Sequence, residues 1–209
     1  MPPVEDSWNQ NYIQKGKLWA GTTRDLPSAG HGRMALEPGC GNGKTLAGLH
    51  THGWEVTGLD SSSQAITLCR TSLPEADRIR LVVADTRTLP FRDESFDLIL
   101  LIHVLGHMTR SGREQTVQEC TRILKQSGSI LFRDFSLRDF RFGKGSEIEA
   151  GSFQRGTGIL THYFSEDEVR DLFPLAAQSI SPTRWSMRVR GTAYEREEID
   201  AVFRKGSSQ

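Results

Sequence analysis

A glycine-rich loop directly after a short apolar segment is the feature that most constrains the fold of this chain. Residues 34–36 are apolar, and three glycines follow at alternate positions: Gly39, Gly41 and Gly43. Glycines at such spacing let the backbone turn sharply and approach a bound ligand closely. We therefore predict that a first strand ends at a cofactor-binding loop and that a helix follows the loop.

Further apolar segments of strand length follow, at residues 56–59, 79–84, 96–102 and 129–132. The sequence between them has helical spacing instead, as at Ile66, Cys69 and Leu73. Strands that alternate with helices predict crossover connections and a parallel sheet covered on both faces. With two more strands predicted near residues 178–185 and 198–204, we expect an α/β fold. It should be Rossmann-like and doubly wound, with a mostly parallel seven-stranded sheet and helices on both faces.

Two sequence patterns predict where later helices begin. Ser111 with Glu114, and Ser165 with Glu168, have the spacing of a capping box. Between these helices, residues 137–158 contain five glycines and no clear period, which indicates a long functional loop. We expect one domain over residues 1–209, with an N-terminal lid segment at 1–30 and a substrate loop at 136–160.

The charge balance and the cysteine content exclude several classes of protein. The chain has 26 basic and 26 acidic residues, so it is not a globally basic nucleic-acid binder. It has no apolar run near the roughly 18 residues of a membrane span and no secretory signal, so we expect a cytoplasmic protein without membrane attachment. Its three cysteines lack CxxC spacing, which argues against a disulfide framework and against a metal site.

The charge near the glycine loop indicates which cofactor binds there. Dinucleotides favour G-x-G-x-x-G and a neutral loop, whereas this loop has G-x-G-x-G and Glu37 two residues before it. A carboxylate disfavours a phosphate but suits S-adenosylmethionine, which carries a cationic amino group and a sulfonium. Asp60 lies 21 residues after Gly39, near the spacing of a ribose-binding acid. Asp85 follows the third predicted strand, where it can accept a hydrogen bond from the adenine amino group.

These motifs resemble the class I S-adenosylmethionine-dependent methyltransferases over about residues 8–135. The resemblance rests on E-P-G-C-G-N-G, L-D-S-S, V-A-D-T and the segment 89–99. It implies that Glu37 and the glycines contact the methionyl part of S-adenosylmethionine, that Asp60 holds the ribose hydroxyls, and that Asp85 holds the adenine. Three more residues within the motifs are assigned to the cofactor site: Cys40, Ser61 and Thr86.

The second half resembles the tRNA 3-methylcytidine methyltransferases in four blocks, at residues 130–135, 141–145, 155–158 and 162–165. The resemblance implies RNA binding and methylation of a ring nitrogen in the anticodon region of tRNA. Asp134 is our candidate to accept a hydrogen bond from the exocyclic amine of cytosine, or else it is a partner of Arg133 or Arg138 that orders the loop. For RNA binding we select three basic residues near aromatic ones: Arg141, Lys144 and Arg155.

Several alternatives stay open at the level of sequence. The acceptor could be a small metabolite, thiol or metalloid, or the chain could be a catalytically silent module that binds RNA or a partner. An activating protein partner is also allowed. His103 and His107 either line the pocket or pack in the core, and the N-terminal aromatic residues either cover the donor or pack on the domain: Trp8, Tyr12 and Trp19.

Overall fold

The computed structural model describes residues 4–16, 23–29, 32–73, 78–156 and 158–206. The helices are α1 Val4–Lys15, α2 Leu46–Thr51, α3 Ser63–Ser72, α4 Arg110–Ile123 and α5 Glu166–Leu172, with a 3₁₀ helix at Leu105–His107. The strands are β1 Met34–Pro38, β2 Glu55–Asp60, β3 Arg80–Val83, β4 Phe96–Ile102, β5 Leu124–Phe135, β6 Ser146–Glu149, β7 Ser152–Gln154, β8 Leu160–His162, β9 Ala176–Val189 and β10 Thr192–Arg204.

The main sheet has seven strands in the order β3-β2-β1-β4-β5-β10-β9. β1 to β5 pair in parallel, and β10 pairs antiparallel with both β5 and β9. The strand order reverses between β1 and β4, and a ligand binds in the crevice at such a point. The predicted mostly parallel, seven-stranded doubly wound sheet is confirmed.

Alternating side chains of the strands build a core on each face of the sheet. In β4, Leu98 and Leu100 pack with α2 and α3, whereas Ile99 and Leu101 pack with α4 and α5. Strands that are apolar on both sides need helices on both faces, because each layer must be removed from water.

The helix N-termini agree with the sequence at one site and differ at another. Ser165 caps α5 by accepting a hydrogen bond from the Glu168 backbone at 3.1 Å, as predicted. The predicted cap of α4 at Ser111 is wrong, because Thr109 accepts the hydrogen bond from Gly112 N at 3.3 Å. Ser111 lies inside the helix, since Thr109 has the extended backbone that a capping residue requires.

The segment after β5 has more structure than its sequence indicates. β6, β7 and β8 pair antiparallel in a separate three-stranded sheet, so the prediction of one irregular loop over residues 137–158 is wrong. Strands of three or four residues are too short to show an alternating pattern in the sequence. Two contacts join this sheet to the main domain: the Tyr163 ring, directly after β8, lies 6.5 Å from Phe135 of β5, and His107 Nδ1 lies 2.7 Å from the carbonyl oxygen of Leu160 in β8.

Candidate donor and acceptor site

The glycine loop connects β1 to α2 at the point where the strand order reverses. Gly39, Gly41 and Gly43 all have positive φ values, of 68°, 55° and 82°. A Cβ atom at Gly39 would lie 2.6 Å from the side chain of Val104, and one at Gly43 would lie 2.8 Å from Leu73. Both backbone conformation and space therefore require glycine at these two positions.

Glu37 is a buried acid at the base of this loop. Its side chain is 4% exposed, and its Oε2 atom has no hydrogen-bond partner among the described residues. Burial raises the pKa of Glu37 to about 8, with the nearby Asp60 adding to the rise and a hydrogen bond to Thr45 opposing it. A buried carboxyl group with a free oxygen fits a cationic ligand, since a positive charge would compensate its ionised form.

Asp60 joins the glycine loop to the start of α3. Its two oxygens accept hydrogen bonds from Gly41 N and Ser62 N, each at 2.9 Å. Burial raises the pKa of Asp60, although these two hydrogen bonds oppose the shift. A carboxylate has about four acceptor positions, so two remain for hydroxyl donors.

The other residues assigned to the donor site differ in their environments. Cys40 is buried, while Ser61 is exposed beside Asp60. Thr86 is buried, and its Oγ1 lies 3.2 Å from Thr116 Oγ1 on α4. Burial opposes the ionisation of Asp85, but hydrogen bonds from Arg87 hold the pKa of Asp85 below its usual value. A ligand at Asp85 would therefore share this carboxylate with a guanidinium group.

Helix α1 contributes a contact to the donor side that the sequence did not indicate. Asn9 Oδ1 accepts a hydrogen bond from Ser62 Oγ at 2.8 Å and one from Gln64 N at 3.3 Å. The neighbouring Trp8 lies edge-on to His107, with 4.8 Å between ring centroids. Helix α1 thus contacts both sides of the crevice. Tyr12 is buried, and Trp19 lies outside the described residues.

Asp134 lies near the end of β5, across the strand reversal from the glycine loop. It is 1% exposed and accepts hydrogen bonds from Gly106 N at 2.8 Å and Phe135 N at 2.9 Å. Burial opposes its ionisation, but His103 above all, with His107 and the hydrogen bond from Gly106 N, holds the pKa of Asp134 below its usual value. Asp134 is therefore an ionised carboxylate near neutral pH.

The two histidines after β4 have different contacts. The His103 ring lies between Asp134 and Glu198 and is stacked on Phe135 at 4.5 Å. His107 Nδ1 lies 2.7 Å from the carbonyl oxygen of Leu160, and burial lowers the pKa of His107. We infer that His107 is neutral and donates this hydrogen bond. Both histidines are half-buried and have polar partners, so neither is packed only among apolar core residues.

The three basic residues selected for RNA binding are not equally accessible. Arg141 donates to Asp139 at 2.8 Å and covers the Phe135 ring at 3.8 Å. Arg155 donates to the Tyr163 hydroxyl and to the Arg141 carbonyl, at 2.9 and 3.0 Å. Lys144 is exposed, with its ammonium 4.6 Å from the Phe140 ring. Arg141 and Arg155 organise the surface, whereas Lys144 faces solvent.

Side chains from β10 and β9 continue this surface. Tyr194 stacks on Phe140 at 4.6 Å, and the Arg196 guanidinium lies 4.6 Å from the Phe135 ring and 5.3 Å from the Trp185 ring. We call this group the aromatic–cationic surface. Its members are Phe135, Phe140, Arg141, Lys144, Trp185, Tyr194 and Arg196. It begins at Phe135, directly after Asp134.

The described part of the chain has neither a membrane-spanning helix nor a cluster of side chains for a metal ion. None of its helices is long and apolar enough to cross a membrane. Within the same residues, no group of three His, Cys, Asp or Glu side chains is arranged to hold a metal ion.

Comparison with known proteins gives matches of two kinds. Residues 36–132 match the family described as "Methyltransferase domain". The chain is 31% identical over 190 residues to the tRNA N(3)-methylcytidine methyltransferase Mettl2 of Drosophila melanogaster, covering 83% of this chain and 58% of that protein. It is 32% identical over 165 residues to the tRNA N(3)-cytidine methyltransferase METTL2 of Gallus gallus, covering 73% and 44%. The chain spans about half the length of these relatives.

Solved structures share the fold at lower identity. An S-adenosylmethionine-dependent methyltransferase from Methanosarcina mazei matches with a TM-score of 0.70 and 24% identity, covering 88% of this chain and all of that one. One from Anabaena variabilis matches with a TM-score of 0.72 and 15% identity, covering 98% and 96%. These likenesses extend over nearly the whole chain.

Proposed function

Because this chain belongs to the class I S-adenosylmethionine-dependent methyltransferases, we propose that it transfers a methyl group to an RNA base. The proposed target is a ring nitrogen of a tRNA cytidine. S-adenosylmethionine would supply an electrophilic methyl group on its sulfonium, so that the N–C bond forms as the S–C bond breaks and S-adenosylhomocysteine leaves. The proposed unit is one methyltransferase domain over residues 1–209, with residues 1–30 covering the donor and residues 136–160 handling the acceptor.

The donor residues fit this cofactor by their chemistry. Glu37, with its unpaired buried oxygen, would hold the cationic amino group of the methionyl part. The remaining acceptor positions of Asp60 would take the ribose hydroxyls, and Asp85 would take the adenine amino group. The backbone of the glycine loop would lie against the donor, because no side chain separates them.

The observation that carries the RNA proposal is the aromatic–cationic surface that begins beside Asp134. Unpaired bases stack on aromatic side chains and on guanidinium planes, and exposed cations contact phosphates. Arg141 and the buried Arg196 lie against the Phe135 ring and are both bound by Asp139, and Lys144 adds an exposed charge at the edge. Such a surface suits an unstacked nucleotide with its backbone better than a small neutral metabolite.

Asp134 supports a cytosine as the acceptor. The cytosine ring nitrogen has a free lone pair at neutral pH, so the enzyme needs to orient it and need not deprotonate it. Methylation places positive charge on the ring, shared with the exocyclic amine. An ionised, buried carboxylate that accepts a hydrogen bond from that amine would stabilise the developing charge.

The names of the relatives agree with an RNA acceptor. The Drosophila and chicken proteins are named for cytidine in tRNA. An Arabidopsis thaliana protein, 34% identical over 114 residues and matched over 26% of its length, is named as a tRNA (carboxymethyluridine(34)-5-O)-methyltransferase. A Haloferax volcanii putative methyltransferase, of 19% identity and TM-score 0.67, was solved with the Trm112 activator. The test therefore includes reactions with an activating partner.

The test is transfer of labelled methyl to total tRNA and to a small-molecule extract in parallel, each with and without a Trm112-type activator. Nucleoside analysis should find label in 3-methylcytidine. Label confined to the small-molecule arm would refute the RNA proposal, and binding of RNA without transfer in any arm would indicate a silent module.

Lys144→Ala should reduce the slope of log RNA affinity against log salt by about one. The matched control is Arg204→Ala, because Arg204 is exposed at the opposite end of β10. An equal loss of slope in both variants would contradict the placement of RNA on the aromatic–cationic surface.

A further inference from the structure

His103 has a backbone conformation that side chains usually avoid. Its φ is 53°, in the left-handed region, and its backbone N donates to the Arg133 carbonyl at 2.8 Å. Residues other than glycine adopt this conformation infrequently, because it is sterically less favourable for them. With this backbone, the His103 side chain contacts residues of β5 and β10.

The ring of His103 bridges two buried carboxylates on these strands. Its Nε2 lies 3.1 Å from Glu198 Oε1, and its Nδ1 lies 3.6 Å from Asp134 Oδ1. Burial disfavours the charged ring, but both carboxylates outweigh burial and raise the pKa of His103 to about 9. The ring is therefore an imidazolium at neutral pH, and it compensates two negative charges that would otherwise face each other.

Other charged groups surround this pair of carboxylates. On β10, Asp200 is bound by Arg133 of β5. Arg24, before β1, lies 3.1 Å from both Glu198 and Asp200. On the 3₁₀ helix, His107 is uncharged. Glu198 is therefore held by Arg24 and, at 4.0 Å, by Arg133 as well as by His103, whereas Asp134 forms its ion pair with His103.

His103 also holds the first ring of the aromatic–cationic surface. Its imidazole lies 4.5 Å from Phe135, with 28° between the planes. About 31% of the His103 side chain is exposed, so the ring borders the acceptor side of the crevice. The same imidazole thus contacts the carboxylate and the aromatic ring that the proposed reaction uses.

We propose that His103 is a positioning residue, whose ring, anchored on Glu198, holds the Asp134 carboxylate and the Phe135 ring in the arrangement that receives the target base. The inference rests on the proposed function. With His103 charged, Asp134 stays ionised and able to accept a hydrogen bond from the base. Loss of the proton removes the positive charge between Asp134 and Glu198, so Asp134 loses its ion pair while Glu198 keeps Arg24, and the arrangement is lost.

The test is the pH profile of single-turnover methylation for three proteins. Wild-type turnover should fall as the pH rises through about 9. Glu198→Gln should move this fall about one pH unit lower, because one of the two anionic partners is removed. His103→Asn keeps a residue that tolerates the left-handed region but carries no charge. It should lower turnover about tenfold or more and show no fall near pH 9, with the KM for the donor nearly unchanged.

The matched control is His52→Asn, since His52 is exposed at the end of α2 and far along the chain from this site. It should leave turnover and the pH profile unchanged. Equal profiles for wild type, Glu198→Gln and His103→Asn would overturn the proposal, because a merely structural histidine would change protein stability and not the profile.

A second measurement separates this inference from the proposed function. An NMR titration of the imidazole should place the His103 pKa near 9 and lower it in both Glu198→Gln and Asp134→Asn. If RNA is not methylated but the His103 pKa is near 9 and falls in both variants, the proposed RNA acceptor is wrong, whereas the contacts of His103 with Asp134 and Glu198 are supported. The inference is overturned, whatever the activity, if His103 titrates below pH 7 or if its pKa is the same in both variants as in the wild type.

Discussion

Binding of the donor should release a proton, because Glu37 is protonated in the free protein at neutral pH. Its pKa of about 8 means that about 0.9 of the molecules carry this proton at pH 7 and about 0.5 at pH 8. The amino group of the donor would bring a positive charge to the buried carboxyl group and cause it to ionise. We therefore expect release of about 0.9 proton per donor bound at pH 7, falling to about 0.5 at pH 8.

The assay is calorimetry with S-adenosylhomocysteine in two buffers of different ionisation enthalpy, which reports the number of protons released. Affinity should rise about tenfold per pH unit below pH 8 and then level off. Glu37→Gln should abolish the release and weaken binding by about 1.5 to 3 kcal/mol. Glu55→Gln is the control, because Glu55 is exposed at the opposite end of the sheet.

The raised pKa of Glu37 also makes the free energy of unfolding depend on pH. The folded protein holds the Glu37 proton up to about pH 8, whereas the unfolded chain loses it near 4.5. The free energy of unfolding should therefore fall between these pH values, by about 5 kcal/mol relative to Glu37→Gln. Binding without proton release in the wild type, or the same release in Glu37→Gln, would refute the placement of the donor's charge at Glu37.

Asp60→Ala should weaken donor binding by about 1.5 to 3 kcal/mol and also lower the melting temperature, because Gly41 N and Ser62 N lose their acceptor. Calorimetry and thermal unfolding measure the two effects, and unchanged affinity in a folded variant would remove Asp60 from the site. Asp134→Asn should reduce single-turnover methylation while RNA affinity in filter binding stays nearly constant, and an equal loss of both would contradict its role at the reacting base. Gly43→Ala should destabilise the glycine loop, since its φ is 82° and the new Cβ would meet Leu73 at 2.8 Å; donor affinity should fall, and an unchanged value would show that the loop adapts. Ser165→Ala should cost about 1 kcal/mol in denaturant unfolding without any effect on donor affinity, because it removes only the cap of α5.

On the acceptor side, the local sequence predicts which residue types are present but not which of them face solvent. Sequence motifs selected Asp134 and Arg141, and the structure buries Asp134 near the end of β5, against Gly106 N and His103. It also places Arg141 against Asp139 and Phe135, where its side chain is half-buried. Whether a basic residue faces solvent depends on its neighbours in space, and the chain around residue 141 does not specify those neighbours. Lys144, three residues later, is exposed.

The sequence by itself determined the sheet, its helical layers and the donor loop. Their signals are local: apolar runs for strands, helical spacing between them, and glycines with an acid at fixed distances. Each of these features lies within about 25 residues, so one stretch of chain carries both the pattern and its structural consequence.

Only the tertiary structure decided the surroundings of Asp134. Glu198 reaches His103 because β10 pairs antiparallel with β5, in a register that places Glu198 opposite Phe135. Asn9 reaches Ser62 because α1 packs on α3. These partners are separated by tens of residues along the chain, and their contacts depend on strand register and helix docking. Both arise from packing of the whole domain, since no local propensity specifies which distant side chains will meet.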